Sequence, residues 1–420
     1  MNKKINLLIK HPLFAGSMIM ITGSTGINAV NYLYHLLMGR LLGPAQYGAL
    51  VSVFSLLYMI SIVPISTSFA IVRFIGSAKN KKDRNTFYST IKRSIFRMSI
   101  VLSLLMIFAS PFIAEFLHLT NILSILMVSP ILFFMLITLV NQSTSQGVLK
   151  FWGVVGPNFV SSVGKLMFGV FLVYFGFSID GAILGVLLAV ILAFLLSRNI
   201  VMGVVRETKI DNKLLKPFLI YALPVLVQAL AFTSLFTADV ILVKHFFSEH
   251  DAGLYAAISM LGKIVFFAAA PITHVMFPLV SRKSSVGEDY KHTFFLTFAI
   301  TSMGVFSVVG FYYLFPEFTI QLLYGSEYLE AQIYLVWMGL FIAIYTINNF
   351  LVNFVLSLGK TRITILPLIA AIAQITLIYT YHDQLLQVLM SSLIIMTILF
   401  IVLLVYLSYF YFKKYVKRNK

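Results

Sequence analysis

Twelve apolar runs, each close to the ~20 residues a helix needs to cross the hydrocarbon core of a bilayer, leave this chain little choice of fold. They lie near 13–38, 46–72, 95–116, 121–147, 152–177, 181–203, 217–243, 252–280, 292–315, 331–357, 362–381 and 385–411. Inside lipid every backbone amide must find its partner within its own segment or in a closed barrel, and runs of this length read as helices. Only 11% of the residues are charged, against about a quarter in a soluble domain. No polar block is long enough for a soluble domain, so the +17 net charge belongs to topology and surface electrostatics rather than to nucleic-acid binding. The absence of cysteine excludes disulfides, thiolate catalysis and cysteine-ligated metal. Met1–Lys10 is basic and leads into an apolar segment as a signal peptide would. No small-residue cleavage site follows, and the expectation is an uncleaved first helix.

The cations fix an orientation. An even number of spans puts both termini on one side, and the two tails with the loops 73–97, 148–151, 198–216, 281–291 and 358–362 hold 27 of the 31 Lys and Arg residues. The opposite loops hold only Arg40 and Lys244, while Lys165 and Lys263 sit inside spans. Cytoplasmic loops carry such an excess. Both termini are therefore expected in the cytoplasm.

A landmark repeats along this frame. Gly39-Arg-Leu-Leu-Gly-Pro-Ala-Gln-Tyr-Gly48 joins two membrane-length runs through a short Gly/Pro turn, and Lys244-His-Phe-Phe-Ser-Glu-His-Asp-Ala-Gly253 does so again at an offset of 205. Lys150 and Pro157 return as Lys360 and Pro367 at an offset of 210. The chain reads as two tandem copies, 1–210 and 211–420. Six spans per copy make the repeats parallel. The expected fold is an all-α polytopic membrane protein whose two six-helix bundles form a V-shaped, rocking transporter. Prolines 64, 130, 157, 224, 271, 278 and 367 within the spans mark kinks and hinges.

Two connections stand out. In loop 73–97, Phe87, Ile91, Ile95 and Met98 recur at helical spacing among Lys92, Arg93 and Arg97. An amphipathic helix lying in the lipid interface and a plain cytoplasmic extension of the third span both fit that pattern. The outer connection 313–331 is acidic and rich in Tyr and Phe, as an interfacial aromatic belt would be.

No enzymatic constellation is present: the eight His are scattered, and no phosphate-binding Gly-rich loop occurs. No cofactor or metal is expected. The informative residues are ionisable groups at membrane depth, which are costly there and face a cavity or a partner. Lys165 and Lys263, one in each copy, suit a central cavity that attracts an anionic head group such as a phosphate or pyrophosphate. The competing reading is a snorkelling or structurally paired lysine. Arg40 and Arg73 lie near interfaces, where topology alone explains an arginine as well as a substrate role does. Asp239 is a candidate partner of Lys263, a candidate ion-coupling acid, or an ordinary interfacial residue. Ser24, Thr25, Asn28 and Asn31, then Asn141, Gln142, Ser143, Thr144 and Ser145, and finally Asn348, Asn349 and Asn353 cluster in three spans. They either bond helices together or line a hydrated cleft that passes sugar hydroxyls.

The segments Gly39–Gly48, Asp251-Ala-Gly-Leu-Tyr-Ala-Ala-Ile-Ser-Met-Leu-Gly-Lys263, Phe277-Pro-Leu-Val-Ser-Arg282 and Leu322-Leu-Tyr-Gly-Ser-Glu-Tyr328 resemble the signatures of bacterial polysaccharide-biosynthesis membrane proteins. These are the O-antigen and exopolysaccharide flippases of the multidrug/oligosaccharidyl-lipid/polysaccharide exporter superfamily. The resemblance implies alternating access and the transfer of an undecaprenyl-pyrophosphate-linked oligosaccharide from the cytoplasmic to the outer leaflet of the bacterial cell membrane. It implies a cationic cavity, which Lys165, Lys263 and Arg73 would supply, and partners among membrane lipids, a polysaccharide polymerase and glycosyltransferases. Lipid II flippases of the superfamily generally carry two further spans at the C-terminus, and the related drug exporters carry cation-binding acids in the N-terminal lobe. Here the N-terminal spans offer only Glu115. Two alternatives stay open: a cation-coupled multidrug exporter and a non-transporting scaffold of a glycan assembly complex.

Overall fold

A computed structural model describes residues 12–286 and 288–418 of the 420. Among them the chain is helical throughout, with short turns and no strand. We label the helices α1 (Pro12–Ile60), α2 (Ile62–Gly76), α3 (Lys81–Phe116), α4 (Leu123–Gly147), α5 (Trp152–Leu172), α6 (Ser178–Met202), α7 (Leu215–Phe246), α8 (Glu249–Ser285), α9 (Lys291–Leu314), α10 (Pro316–Leu323), α11 (Gln332–Ser357), α12 (Ile365–Thr380) and α13 (Leu385–Arg418). Ten described stretches are long and apolar enough to span a membrane. Two of them, Thr22–Ile60 and Trp152–Met202, are each interrupted at a glycine of positive φ. Dividing both at these breaks makes twelve, the number the apolar runs predict.

The first break explains the Gly39–Gly48 landmark. Gly43 adopts φ 68°, ψ 173°, a region open essentially to glycine alone. Pro44 follows at the start of the next helical segment, where its missing N–H costs nothing. At the offset of 205 the second copy places Ser248, which is extended in ψ (φ −58°, ψ 159°) and whose hydroxyl caps α8 by accepting from the Asp251 amide. One turn is thus built twice, from different residues.

The second landmark is also structural. After α4, the Lys150 amide donates to Ser145 O and the Leu149 amide to Gln146 O. After α11, Lys360 donates to Val355 O and Gly359 to Leu356 O. Leu149 (φ 63°) and Gly359 (φ 77°) both take the left-handed conformation. This is the same helix-ending motif, repeated at the offset of 210.

The chain forms two compact units, Met1–Ala229 and Leu230–Lys420. In the first, Phe87, Ile91 and Ile95 of α3 are buried with Leu132, Leu136, Val140 and Phe218. The 73–97 periodicity therefore marks a protein-facing stripe on an extension of the third span, not a helix lying in lipid. Close approach governs α5 and α6: a Cβ on Gly185 would stand 2.5 Å from the Gly169 backbone, and one on Gly169 would stand 2.8 Å from the Tyr34 ring. Small residues at helix crossings are how membrane helices gain contact when no hydrophobic force draws them together. In the second unit, Tyr312 donates to Leu261 O at 2.8 Å and Tyr345 to Phe232 O at 3.1 Å. Hydroxyls that would be costly in hydrocarbon are satisfied on neighbouring helices.

Two candidate cationic sites

In the first unit, Lys165 lies in the middle of α5 with its ammonium 4.4 Å from the Tyr34 ring centre and 5.3 Å from that of Phe54. The hairpin at Gly43 brings Tyr34 and Phe54 edge to face, 5.9 Å apart, and His35 packs against both rings. No carboxylate among the described residues lies within ion-pair distance of Lys165. Its charge meets aromatic faces, each worth about 0.5–2 kcal/mol to a cation. Ser161 and Asn158 lie four and seven residues before it on the same side of α5, and Asn158 Oδ1 accepts from Gln142 Nε2 at 2.8 Å. On α1, Ser24, Asn28, Asn31 and His35 follow the i, i+4, i+7, i+11 spacing of one helix face. Asn28 is exposed and Asn31 half-buried. An exposed amide at this depth requires water or a polar partner.

In the second unit, Lys263 of α8 is only 2% exposed. Its Nζ has no hydrogen-bond partner and lies 4.9 Å from the centre of the Phe236 ring. Asp239 of α7, 1% exposed, interacts electrostatically with it but stays outside ion-pair distance. Asp239 Oδ2 accepts from the Tyr255 hydroxyl at 2.8 Å, and Oδ1 has no partner. Asp239 and Tyr255 stand eight residues either side of Phe247, so the α7–α8 hairpin puts them at one depth. Lys263 lies eight residues further along α8, about 12 Å in axial rise. Side chains tilt toward the N-terminus of their own helix. In this antiparallel pair the lysine and the aspartate therefore lean toward each other.

The remaining candidates separate. Asn141 donates to Ser197 at 3.1 Å and accepts from the Tyr88 hydroxyl at 3.3 Å. Asn348 is buried and donates to Met396 O at 2.9 Å, while Asn353 donates to the Asn349 side chain at 3.0 Å. For Asn141, Gln142 and Asn348 the structure shows the helix-to-helix bonding that the sequence left open beside cavity lining. Arg40 is exposed just before the Gly43 turn, and Arg73 is exposed in the last turn of α2, where the helix dipole favours a cation. Tyr34, Phe54, Phe236 and Tyr255 escaped the sequence reading, since an aromatic among 39 Phe and 21 Tyr carries no mark of touching an amine. The equal spacing of Asp239 and Tyr255 about the hairpin was the one available signal.

With this geometry described, known proteins can be compared. The solved structure described as lipid II flippase MurJ in an inward closed conformation superposes with a TM-score of 0.78 at 15% identity, covering 93% of this chain and 87% of its own. An inward-facing multidrug resistance MATE family transporter of the MOP superfamily gives 0.67 at 17% identity, covering 90% and 94%. A MOP superfamily transporter from Pyrococcus furiosus, described as having a binding pocket of reverse polarity, gives 0.66 at 17%, covering 96% and 98%. At these identities the likeness is one of fold: the chain is a multi-pass membrane protein with the architecture of these transporters. No curated protein sequence matches it. A family model described as "Polysaccharide biosynthesis protein" matches residues 37–333. That stretch covers well over half of the 420 residues, from the Gly43 turn through both lysines to Tyr328, and the chain belongs to this polysaccharide biosynthesis family.

Proposed function

We propose that this protein is a flippase moving an undecaprenyl-pyrophosphate-linked oligosaccharide from the cytoplasmic to the outer leaflet of a bacterial cell membrane, by alternating access of two six-helix lobes, 1–210 and 211–420. Both termini face the cytoplasm. The observation that carries the reading is the pair of mid-helix amines, Lys165 and Lys263, each set against aromatic rings with no carboxylate within ion-pair distance among the described residues. An ammonium kept at membrane depth against its desolvation cost suits an anionic ligand. Family membership supports a glycan-linked cargo, and the similar fold of a protein described as a lipid II flippase supports a lipid-linked one. On this reading Arg73 and Arg40 meet the head group at the two interfaces, and Ser24, Asn28 and Asn31 meet sugar hydroxyls.

The test is reconstituted flipping of an undecaprenyl-pyrophosphate-linked glycolipid in proteoliposomes. Wild-type protein should move the lipid, and K165A/K263A protein of equal abundance should not. Normal flipping by the double variant would reject the lysine assignment. One observation keeps a rival in view: Asp239 is a buried acid of the kind a cation-coupled drug exporter uses, although it lies in the second unit and not in the N-terminal lobe. That reading predicts gradient-driven drug efflux, lost in D239N, with no glycolipid movement.

A further inference from the structure

The two amines are not equivalent. Lys165 meets rings alone, whereas Lys263 shares its buried surroundings with a carboxylate that lies beyond ion-pair distance. Two groups of opposite charge, each at most 2% exposed, both leave an atom without a hydrogen bond, Lys263 Nζ and Asp239 Oδ1. Buried polar atoms are rarely left so, and an ion pair would satisfy both. Each group is engaged elsewhere: the Tyr255 hydroxyl donates to Asp239 Oδ2 at 2.8 Å, and the ammonium lies over the Phe236 ring at 4.9 Å. All four residues belong to the α7–α8 hairpin of one unit.

We infer that Asp239 is a displaceable counter-charge for Lys263, kept from closing on it by Tyr255, so that an anionic lipid head group competes with Asp239 for the amine. The inference rests on the proposed function and deepens it. Lys165 is the permanent anion-holding amine, and Lys263 is the one released to the cargo. Without cargo the carboxylate neutralises the buried amine at a distance. When a phosphate oxygen arrives, the amine turns to it, and the Tyr255 hydrogen bond keeps the abandoned carboxylate solvated. When the anion leaves, the Asp239 field draws the amine back. Asp239 and Tyr255 act through Lys263 and are positioning residues.

The inference predicts opposite signs for two neighbouring substitutions. In full-length protein in nanodiscs, probed with undecaprenyl pyrophosphate, D239N should bind about tenfold tighter, within the 5–150-fold range usual for coupled sites, and flip more slowly because release is slowed. Y255F keeps both charges but frees the carboxylate to close on the amine, and should bind severalfold weaker. A merely structural role would move both variants the same way. K263M alone leaves a buried carboxylate without its counter-charge and should lower the melting temperature. The double variant D239N/K263M should recover the melting temperature but not the binding. Recovery of both, or D239N and Y255F shifting in the same direction, overturns the inference while leaving the flippase reading intact. Failure of wild-type protein to bind the lipid pyrophosphate at all overturns the reading and the inference together.

Discussion

A lysine in the centre of a membrane helix costs about 2.5–3.5 kcal/mol by insertion scales, and two aromatic faces return only about 0.5–2 kcal/mol each. The two ranges overlap, so the net contribution of Lys165 to folding is close to zero, as is common for a residue kept for binding. Replacing it with Met, which retains the length and loses the charge, should leave thermal stability in detergent unchanged or higher while abolishing glycolipid flipping. Asn141 should behave in the opposite way. Its amide joins Ser197 and the Tyr88 hydroxyl, and interhelical hydrogen bonds in membranes contribute about 0.6–2 kcal/mol. N141L should lower stability by about that amount and reduce flipping only in proportion to protein level. Measuring melting temperature and flipping for the two variants side by side tests both roles. The same flipping loss per folded molecule in both would return Asn141 to the cavity.

At the scale of elements, the repeated helix end supplies a comparison within one molecule. Leu149 and Gly359 occupy the same left-handed position at φ 63° and 77°. A side chain there costs roughly 1–2 kcal/mol, whereas glycine loses about 0.5–1 kcal/mol in the unfolded chain. Leu149 is half exposed and gives up little burial, so the conformational term wins. L149G should raise the melting temperature slightly, and G359L should lower it. A second element-level device binds the segment after α6 to α3. Arg84 donates to Val204 O at 3.0 Å, Asn85 and Ser89 accept the Arg206 and Thr208 amides at 3.3 and 2.8 Å, Thr90 accepts the Asp211 amide at 3.0 Å, and Lys92 pairs with Glu207. Side chains reading backbone atoms hold that strand of chain whatever its own sequence. In S89A/T90V the Thr208 and Asp211 amides should exchange with deuterium markedly faster than in wild type, with the α3 core amides unchanged. The apolar stripe Phe87–Ile95 was visible in sequence because helical period is local information. Its destination was not: a basic, amphipathic helix looks the same whether it faces lipid or Leu132 and Phe218, and only the tertiary contacts decide.

For the whole molecule, span count and order were readable because lipid leaves the backbone one solution per 20 or so apolar residues, and the tandem repeat because the turns at Gly43 and Ser248 and the helix ends at Leu149 and Gly359 fall at fixed offsets. The sequence offered Asp239 as one candidate partner of Lys263, 24 positions away; that the two stop outside ion-pair distance, with Tyr255 on the carboxylate, was not readable, because it depends on how side chains tilt across the hairpin. Orientation across the membrane is a further whole-molecule property, and the one proposed here rests on charge. With 27 of 31 cations in the tails and five loops, the energetic preference for one orientation is shared among many residues, so moving any single one should not invert the protein. The chain contains no cysteine, which makes it ready for single-cysteine labelling. Lys79→Cys and Asp289→Cys lie in exposed positions on the basic side, and Thr120→Cys and Asp383→Cys in exposed positions on the other. In intact cells freed of their outer barrier, a membrane-impermeant maleimide should label positions 120 and 383 and reach 79 and 289 only after the membrane is opened. Removing two cations at once, as in R282Q/K283Q, should leave that pattern unchanged, because the excess elsewhere still dominates. Labelling of 79 or 289 from outside would reverse the orientation, and with it the direction in which the proposed cargo must enter.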